Sequence, residues 1–364
     1  MLYAAEFVFP GHPDKLCDAI ADALVEEAAH REKRALCGIE VAVHRASVFI
    51  TGRIACAGAE SIPVEEIARE TYNSAGYGDW HPAPSDIAVR TDLCMGSLNE
   101  GEAGFRACSD DQSIVTGYAV DLPGTNFLPP EHWLAMRLSA RLERLRHECP
   151  SLCLGPDGKV ALVYDSAAGS LASFSTSLQQ RVGCSEIELH REVRAAVSEE
   201  LRECATAVPG FRPEVPGDFH VNGAGNFEVG GPEGDNGLSG KKLVMDAYGP
   251  RVPSGGGALS GKDFFKADRA GAVLARRLAK SVVATGVASQ CSATLAIFPG
   301  DEAFRIVSLR DGGGDPIDAR RWSVLIDLSL GTTGECYAAT RGLPALARYG
   351  HFTSAARPWE AIRL

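Results

Sequence analysis

From Gly255 to Arg269 the chain reads Gly-Gly-Gly-Ala-Leu-Ser-Gly-Lys-Asp-Phe-Phe-Lys-Ala-Asp-Arg, which sets flexible glycines beside two lysines and two aspartates. Glycine lets backbone N–H groups approach phosphate oxygens closely. Ammonium groups neutralise phosphate charge, and carboxylates suit the Mg²⁺ that accompanies a nucleotide. The same ingredients recur upstream in Gly230-Gly231-Pro232-Glu233-Gly234-Asp235-Asn236-Gly237-Leu238-Ser239-Gly240-Lys241-Lys242. Two such loops so close together constrain the fold to bring glycine turns, cations and carboxylates to one place. The spacing of Gly256, Gly261 and Lys262 imitates a P-loop, but Asp263 stands where that motif needs a hydroxyl for Mg²⁺.

The background is acidic, with a net charge of −11, so the lysine clusters are aimed at a small polyanion and not at nucleic acid. A chain of 364 residues with 45% hydrophobic content can bury substantial cores in two or three units. The 11 cysteines are scattered and odd in number, and Met1 to Glu6 lacks the basic start and apolar run of a secretory leader, so a reducing cytoplasm is expected. Cys149 and Cys153 have no second Cys or His pair at zinc-like spacing. No apolar run approaches the length of a membrane span.

Along the chain, Gly11-His12-Pro13-Asp14-Lys15 precedes Leu16, Ile20, Ala23 and Leu24 at helical spacing, which puts the motif at a helix N-terminus. Strands are expected at 39–43 and 47–57 and a helix at 65–75. The stretch 84–109 reads as a mobile loop or linker. A helix near 131–147, a strand at 159–165 and a helix near 187–204 follow. Beyond them come a strand at 242–247, a helix near 266–284 and strands around 292–298 and 304–309. This mixture predicts an α+β chain of three modules, 1–100, 101–228 and 229–364.

Five ordered motifs, Gly11 to Lys15, Asp111-Gln112-Ser113-Ile114-Val115-Thr116-Gly117-Tyr118-Ala119, Pro156-Asp157-Gly158-Lys159 and the two glycine loops, resemble the S-adenosylmethionine synthetases of bacterial and eukaryotic type. Tyr349-Gly350-His351-Phe352 and Pro358-Trp359-Glu360 are similar too, so the resemblance spans essentially the whole chain. It implies three similar α/β modules in pseudo-threefold arrangement, and homodimers or homotetramers with shared active sites. The implied reaction joins ATP, methionine and water into S-adenosylmethionine, phosphate and diphosphate, with two Mg²⁺ per site and K⁺.

By the same resemblance, His12 hydrogen-bonds the bridging oxygen O5′ and acts catalytically with Lys159, Lys262 and Lys266. Lys241 and Lys242 also hold phosphates. Phe227 stacks on adenine, and Asp157, Asn226, Asp235 and Ala258 line the nucleotide site. Glu60, Asp111, Asp235 and Lys266 face the amino-acid substrate. Asp14 and Asp268 coordinate Mg²⁺, and Glu40 is the glutamate associated with K⁺.

Departures gather on the amino-acid side. The family's Gly-Ala-Gly before the aspartate matched by Asp111 is here Cys108-Ser109-Asp110, no clear equivalent of the loop Gln is found near 94–99, Glu60 is displaced by one position, and Pro299 aligns with an Ile. Lys241 replaces an Arg, exchanging a planar fork for a point charge. These changes leave open weakened methionine binding, transfer of the adenosyl group to a methionine analogue or other nucleophile, and a nucleotide-binding regulatory homologue.

Overall fold

A computed structural model describes residues 1–362. In chain order the elements are β1 (Leu2–Val8), α1 (Pro13–Arg31), β2 (Leu36–His44), β3 (Ser47–Ala55), α2 (Val64–Tyr72), β4 (Ala88–Gly96), α3 (Glu102–Phe105), β5 (Ser113–Val120) and α4 (Pro130–Glu148). Then come β6 (Leu154–Asp165), β7 (Ser170–Gln180), α5 (Glu186–Ala207), β8 (Asp218–Val221), β9 (Gly237–Leu238), α6 (Leu243–Asp246) and α7 (Ala267–Ala284). The chain closes with β10 (Gln290–Ile297), β11 (Arg305–Asp311), α8 (Ala319–Leu325), α9 (Leu330–Tyr337) and α10 (Leu343–Tyr349). The architecture is mixed α+β, and no described helix is long and apolar enough to cross a membrane.

The strands form three sheets, ordered β1-β6-β7-β8, β4-β3-β2-β9 and β11-β10-β5. Helices α4 and α5 pack with the first, α1 with the second and α7 with the third. None of the sheets is built from one stretch of chain. β1 runs antiparallel to β6 with Val8 opposite Lys159, and β5 runs antiparallel to β10 with Ser113 opposite Ile297. These pairings bring the ends of β1, β5 and β6 to the glycine loops.

Apolar side chains decide which helix faces which sheet. Ala270, Leu274, Leu278 and Val282 recur along α7 and bury against Val115, Leu295 and Ile297. α1 is a different case, because Leu16, Ile20 and Leu24 share its buried length with Asp14, Lys15, Asp18 and Asp22. Charged groups at such depth persist only with partners.

Two expectations from the sequence are corrected. Residues 88–96 are not loop: β4 adds in parallel to β3 over its full length, from Ser47 opposite Ala88 to Ala55 opposite Gly96. Its largely exposed side chains hid the strand pattern. Residues 242–247 are not a strand either, since Lys242 carbonyl accepts from the N–H groups of Met245 and Asp246 and starts the single turn of α6. That turn sends Asp246 inward to Lys15, a partner more than two hundred residues away in sequence.

Candidate active site

β1 delivers the first motif. Phe9 N–H donates to Gly158 carbonyl at 2.8 Å, and Tyr77 hydroxyl donates to Gly11 carbonyl at 2.6 Å, so Gly11 and His12 are fixed beside β6. His12 is the N-cap of α1: its Nδ1 accepts the Asp14 N–H at 3.2 Å. The ring enters a cleft of about 260 Å³ whose lining includes Asp157, Lys159, Phe227, Gly230 and Asp235. Burial lowers the His12 pKa to about 4, Lys242 and Lys159 adding to the shift while Asp14 and Asp235 oppose it. The ring is therefore neutral at pH 7, and with Nδ1 accepting, its proton sits on Nε2.

The cleft floor comes from β6 and the first glycine loop. Asp157 Oδ2 accepts the Gly231 N–H at 2.7 Å, and burial raises its pKa to about 6. Phe227 is half-buried and its carbonyl accepts the Gln180 N–H, which moors the aromatic ring beside Gly230. Asn226, just before it, is exposed. Lys159 reaches across to Glu6 on β1 at 2.6 Å.

Three aspartates four residues apart on α1 hold both loops. Asp14 accepts the Leu238 N–H at 3.1 Å, with Lys242 Nζ at 3.2 Å and Lys241 Nζ at 3.6 Å. Asp18 accepts the Gly240 N–H at 2.8 Å and pairs with Lys15 at 3.0 Å. Asp22 accepts the Gly261 N–H at 3.0 Å and is bridged twice by Arg269, at 2.8 and 2.9 Å. The first loop lies so close to the helix start that a Cβ on Gly237 would sit 2.3 Å from Pro13 carbonyl. Gly261 has φ +85°, and a Cβ there would meet Ile39 carbonyl at 2.2 Å. Both positions require glycine.

A second set of charges surrounds the start of α7. Lys266 is the N-cap residue and pairs with Asp110. Asp268, in the first turn, accepts from Gly257 N–H at 2.9 Å and Ser113 hydroxyl at 2.6 Å and pairs with Lys262. Burial pushes the Asp268 pKa upward, but these donors outweigh it and hold the carboxyl below its usual range. Ala258 packs on the first loop, where a Cβ on Gly240 would come within 2.5 Å of it. Glu40 on β2 accepts from Ser239 hydroxyl.

The segment leading into this second set is strapped down. Arg53 grips Glu102 through two hydrogen bonds of 2.7 Å, and the buried Arg106 donates to Ala35 carbonyl at 3.0 Å and pairs with Asp263. Asp111 is exposed, its carboxylate accepting the Gln112 N–H at 2.7 Å. Glu60 is exposed beside Gly96.

The structure thus gathers His12, Asp157, Lys159, Phe227 and Asp235 in one cleft, with Asp14, Lys241 and Lys242 adjoining through ion pairs. Lys262, Lys266 and Asp268 form the other set. Among the described residues, no hydrogen bond or ion pair runs directly between His12, Asp157, Lys159 or Asp235 and the α7 set. Sequence reasoning missed Glu6, Asp18, Asp22 and Asp110. The two α1 aspartates had a signal: carboxylates repeating every fourth residue along an apolar helix face must meet partners.

Among the described residues, no group of three or more His, Cys, Asp and Glu is placed to hold a metal by itself. Asp14 and Asp268 instead stand singly, each beside lysine. Lone carboxylates fit Mg²⁺, which takes one or two protein oxygens and completes its shell with phosphate oxygens and water.

Comparison with known proteins gives the same direction. The family model described as S-adenosylmethionine synthetase, N-terminal domain, matches residues 1–93, and that of the C-terminal domain matches residues 229–361. S-adenosylmethionine synthase 2 of Rhodospirillum rubrum is 34% identical over 96% of this chain and 92% of its own length. S-adenosylmethionine synthase of Thermosynechococcus vestitus is 34% identical over 80% of this chain and 75% of its own length. That of Brachyspira hyodysenteriae is 30% identical over 79% and 75%.

Proposed function

The chain belongs to the S-adenosylmethionine synthetase family, and from that premise we propose that it transfers the adenosyl group of ATP to methionine, with S-adenosylmethionine, phosphate and diphosphate as products. The observation that carries the reading is the neutral His12 ring, set in a cleft beside Lys159 with Nδ1 already engaged. Methionine sulfur attacks C5′ without losing a proton, so no general base is needed. The demand falls on the departing triphosphate, which one water then cleaves to phosphate and diphosphate.

His12 Nε2–H donates to O5′ as the C5′–O5′ bond breaks. Lys159, Lys241, Lys242 and Lys262 receive the phosphates. Phe227 stacks on adenine, while Asp157, Asn226, Asp235 and Ala258 line the nucleotide. Glu60, Asp111, Asp235 and Lys266 face methionine. Asp14 and Asp268 would hold Mg²⁺, two ions per site, which would supply neutralisation of phosphate charge, and Glu40 would belong with an activating K⁺.

The three sheets, each with helical cover, support a pseudo-threefold arrangement of three modules, assigned to 1–100, 101–228 and 229–364 with strands exchanged between them. The resemblance to the relatives supports active sites shared between copies in a homodimer or homotetramer. The eleven free cysteines support a cytoplasmic location.

The test is incubation of the purified protein with ATP, Mg²⁺ and K⁺, with and without methionine, followed by mass spectrometry of the products. S-adenosylmethionine formed only with methionine, together with phosphate and diphosphate, is expected. ADP as the main nucleotide product overturns the reading.

A further inference from the structure

Lys266 stands at the N-cap of α7, where the helix dipole and a projecting ammonium favour an anion. That anion is supplied by the chain itself: Asp110 Oδ2 is ion-paired with Lys266 Nζ. The lysine side chain is 21% exposed and the aspartate 53%, so the pair sits at an open rim. Nothing else in the structure holds Asp110 there, since its carboxylate makes no other hydrogen bond among the described residues.

We propose that Asp110 is a built-in stand-in for a substrate oxyanion, and that substrate binding displaces it from Lys266. This rests on the reading of Lys266 as a residue facing substrate. The displacing group is an oxyanion, either a phosphate of the triphosphate or the carboxylate of methionine. Asp110 thereby sets affinity at this site. Lys266 is kept paired and ordered when the site is empty, and each incoming anion must break one contact and tolerate one extra negative charge nearby. A partly exposed ion pair is weak enough to be displaced under ordinary substrate concentrations.

The experiment is calorimetric titration of the full-length protein with inorganic tripolyphosphate in Mg²⁺, and separately with methionine, for the parent, Asp110→Asn, Asp110→Gly, Lys266→Gln and the Asp110→Asn/Lys266→Gln pair. Removing Asp110 is expected to tighten one of the two ligands about two- to fivefold, with a smaller gain at high salt. The gain should vanish in the Lys266→Gln background. Tightening of tripolyphosphate alone identifies a phosphate as the displacing group, and tightening of methionine alone identifies its carboxylate. Unchanged affinities for both ligands, or weaker methionine binding in Asp110→Asn, overturn the inference while leaving the wider reading of the site intact. Failure of every variant and of the parent to bind tripolyphosphate, ATP or methionine removes the proposed function, and this inference with it.

Discussion

Asp14 N–H donates to His12 Nδ1 at 3.2 Å, so the residue that caps α1 also lines the cleft and keeps its proton on the remaining ring nitrogen, Nε2. One hydrogen bond fixes both the helix start and the tautomer. The fold and the chemistry meet in that contact, and each leaves its own trace in a variant.

His12→Asn should keep the cap, because Asn is among the strongest N-cap residues, while losing the proposed donor to O5′. Turnover is expected to fall about 10²- to 10³-fold with ATP binding and thermal stability retained. His12→Ala should show the same catalytic loss and also about 1 kcal/mol of destabilisation. Steady-state kinetics and denaturant melts of the two variants separate the roles; full turnover in a folded His12→Asn protein removes His12 from the mechanism.

The buried ring should titrate near pH 4 and not near 6.5. Because its folded pKa lies below its unfolded value, the unfolded chain binds the extra proton first. The stability His12 contributes is complete above pH 6.5 and is lost as pH falls towards 4. Asp157 runs the other way: its pKa is raised from 3.8 to about 6, so its contribution is present at low pH and is lost as pH rises through that interval. Histidine NMR titration reads the first directly, and a His12 midpoint near 6.5 would contradict the desolvated setting of the ring.

Asp14→Asn keeps an oxygen for the Leu238 N–H but removes the charge that faces Lys241 and Lys242. The expected result is turnover lowered about 10²-fold or more and a higher Mg²⁺ concentration for half-maximal rate. A Mg²⁺ titration of initial rate checks it. An unchanged Mg²⁺ requirement would assign Asp14 to holding the loop alone.

Lys15 lies fully buried between Asp18 at 3.0 Å and Asp246 at 2.5 Å, and burial raises the Asp246 pKa to about 7 against the pull of the lysine. Lys15→Met leaves these carboxylates without their cation and should cost about 3–5 kcal/mol. Adding Asp246→Asn should restore part of that loss. Urea unfolding of the single and double variants measures both steps, and a loss below 1 kcal/mol in Lys15→Met would mean that the interior there is wetter than the geometry indicates.

Some of this was available from the residues in order. Helices α1, α4, α5 and α7 were legible because their apolar positions repeat at helical spacing within the segment itself. The placing of His12 at a helix start followed from Pro13 and Asp14 directly after it. The glycine loops declared phosphate chemistry because glycine, lysine and aspartate so close together have few other uses. The link to a family came from five motifs whose order, more than any single one, was specific.

Tertiary structure decided the rest, for reasons that no local pattern carries. β4 was hidden because its side chains stay largely exposed and its evidence is the parallel partner β3. α6 took a turn where the residues favoured a strand, because Asp246 reaches a buried lysine at the far end of the chain. Asp18 and Asp22 look like ordinary helix carboxylates until the loops that dock on them are in place. The pairing of Asp110 with Lys266 depends on β5 joining β10 and on α7 packing over both. Periodicity reports the environment of a residue along its own element, whereas an ion pair or a strand partner is fixed by packing across the whole chain, and that packing assembles the site.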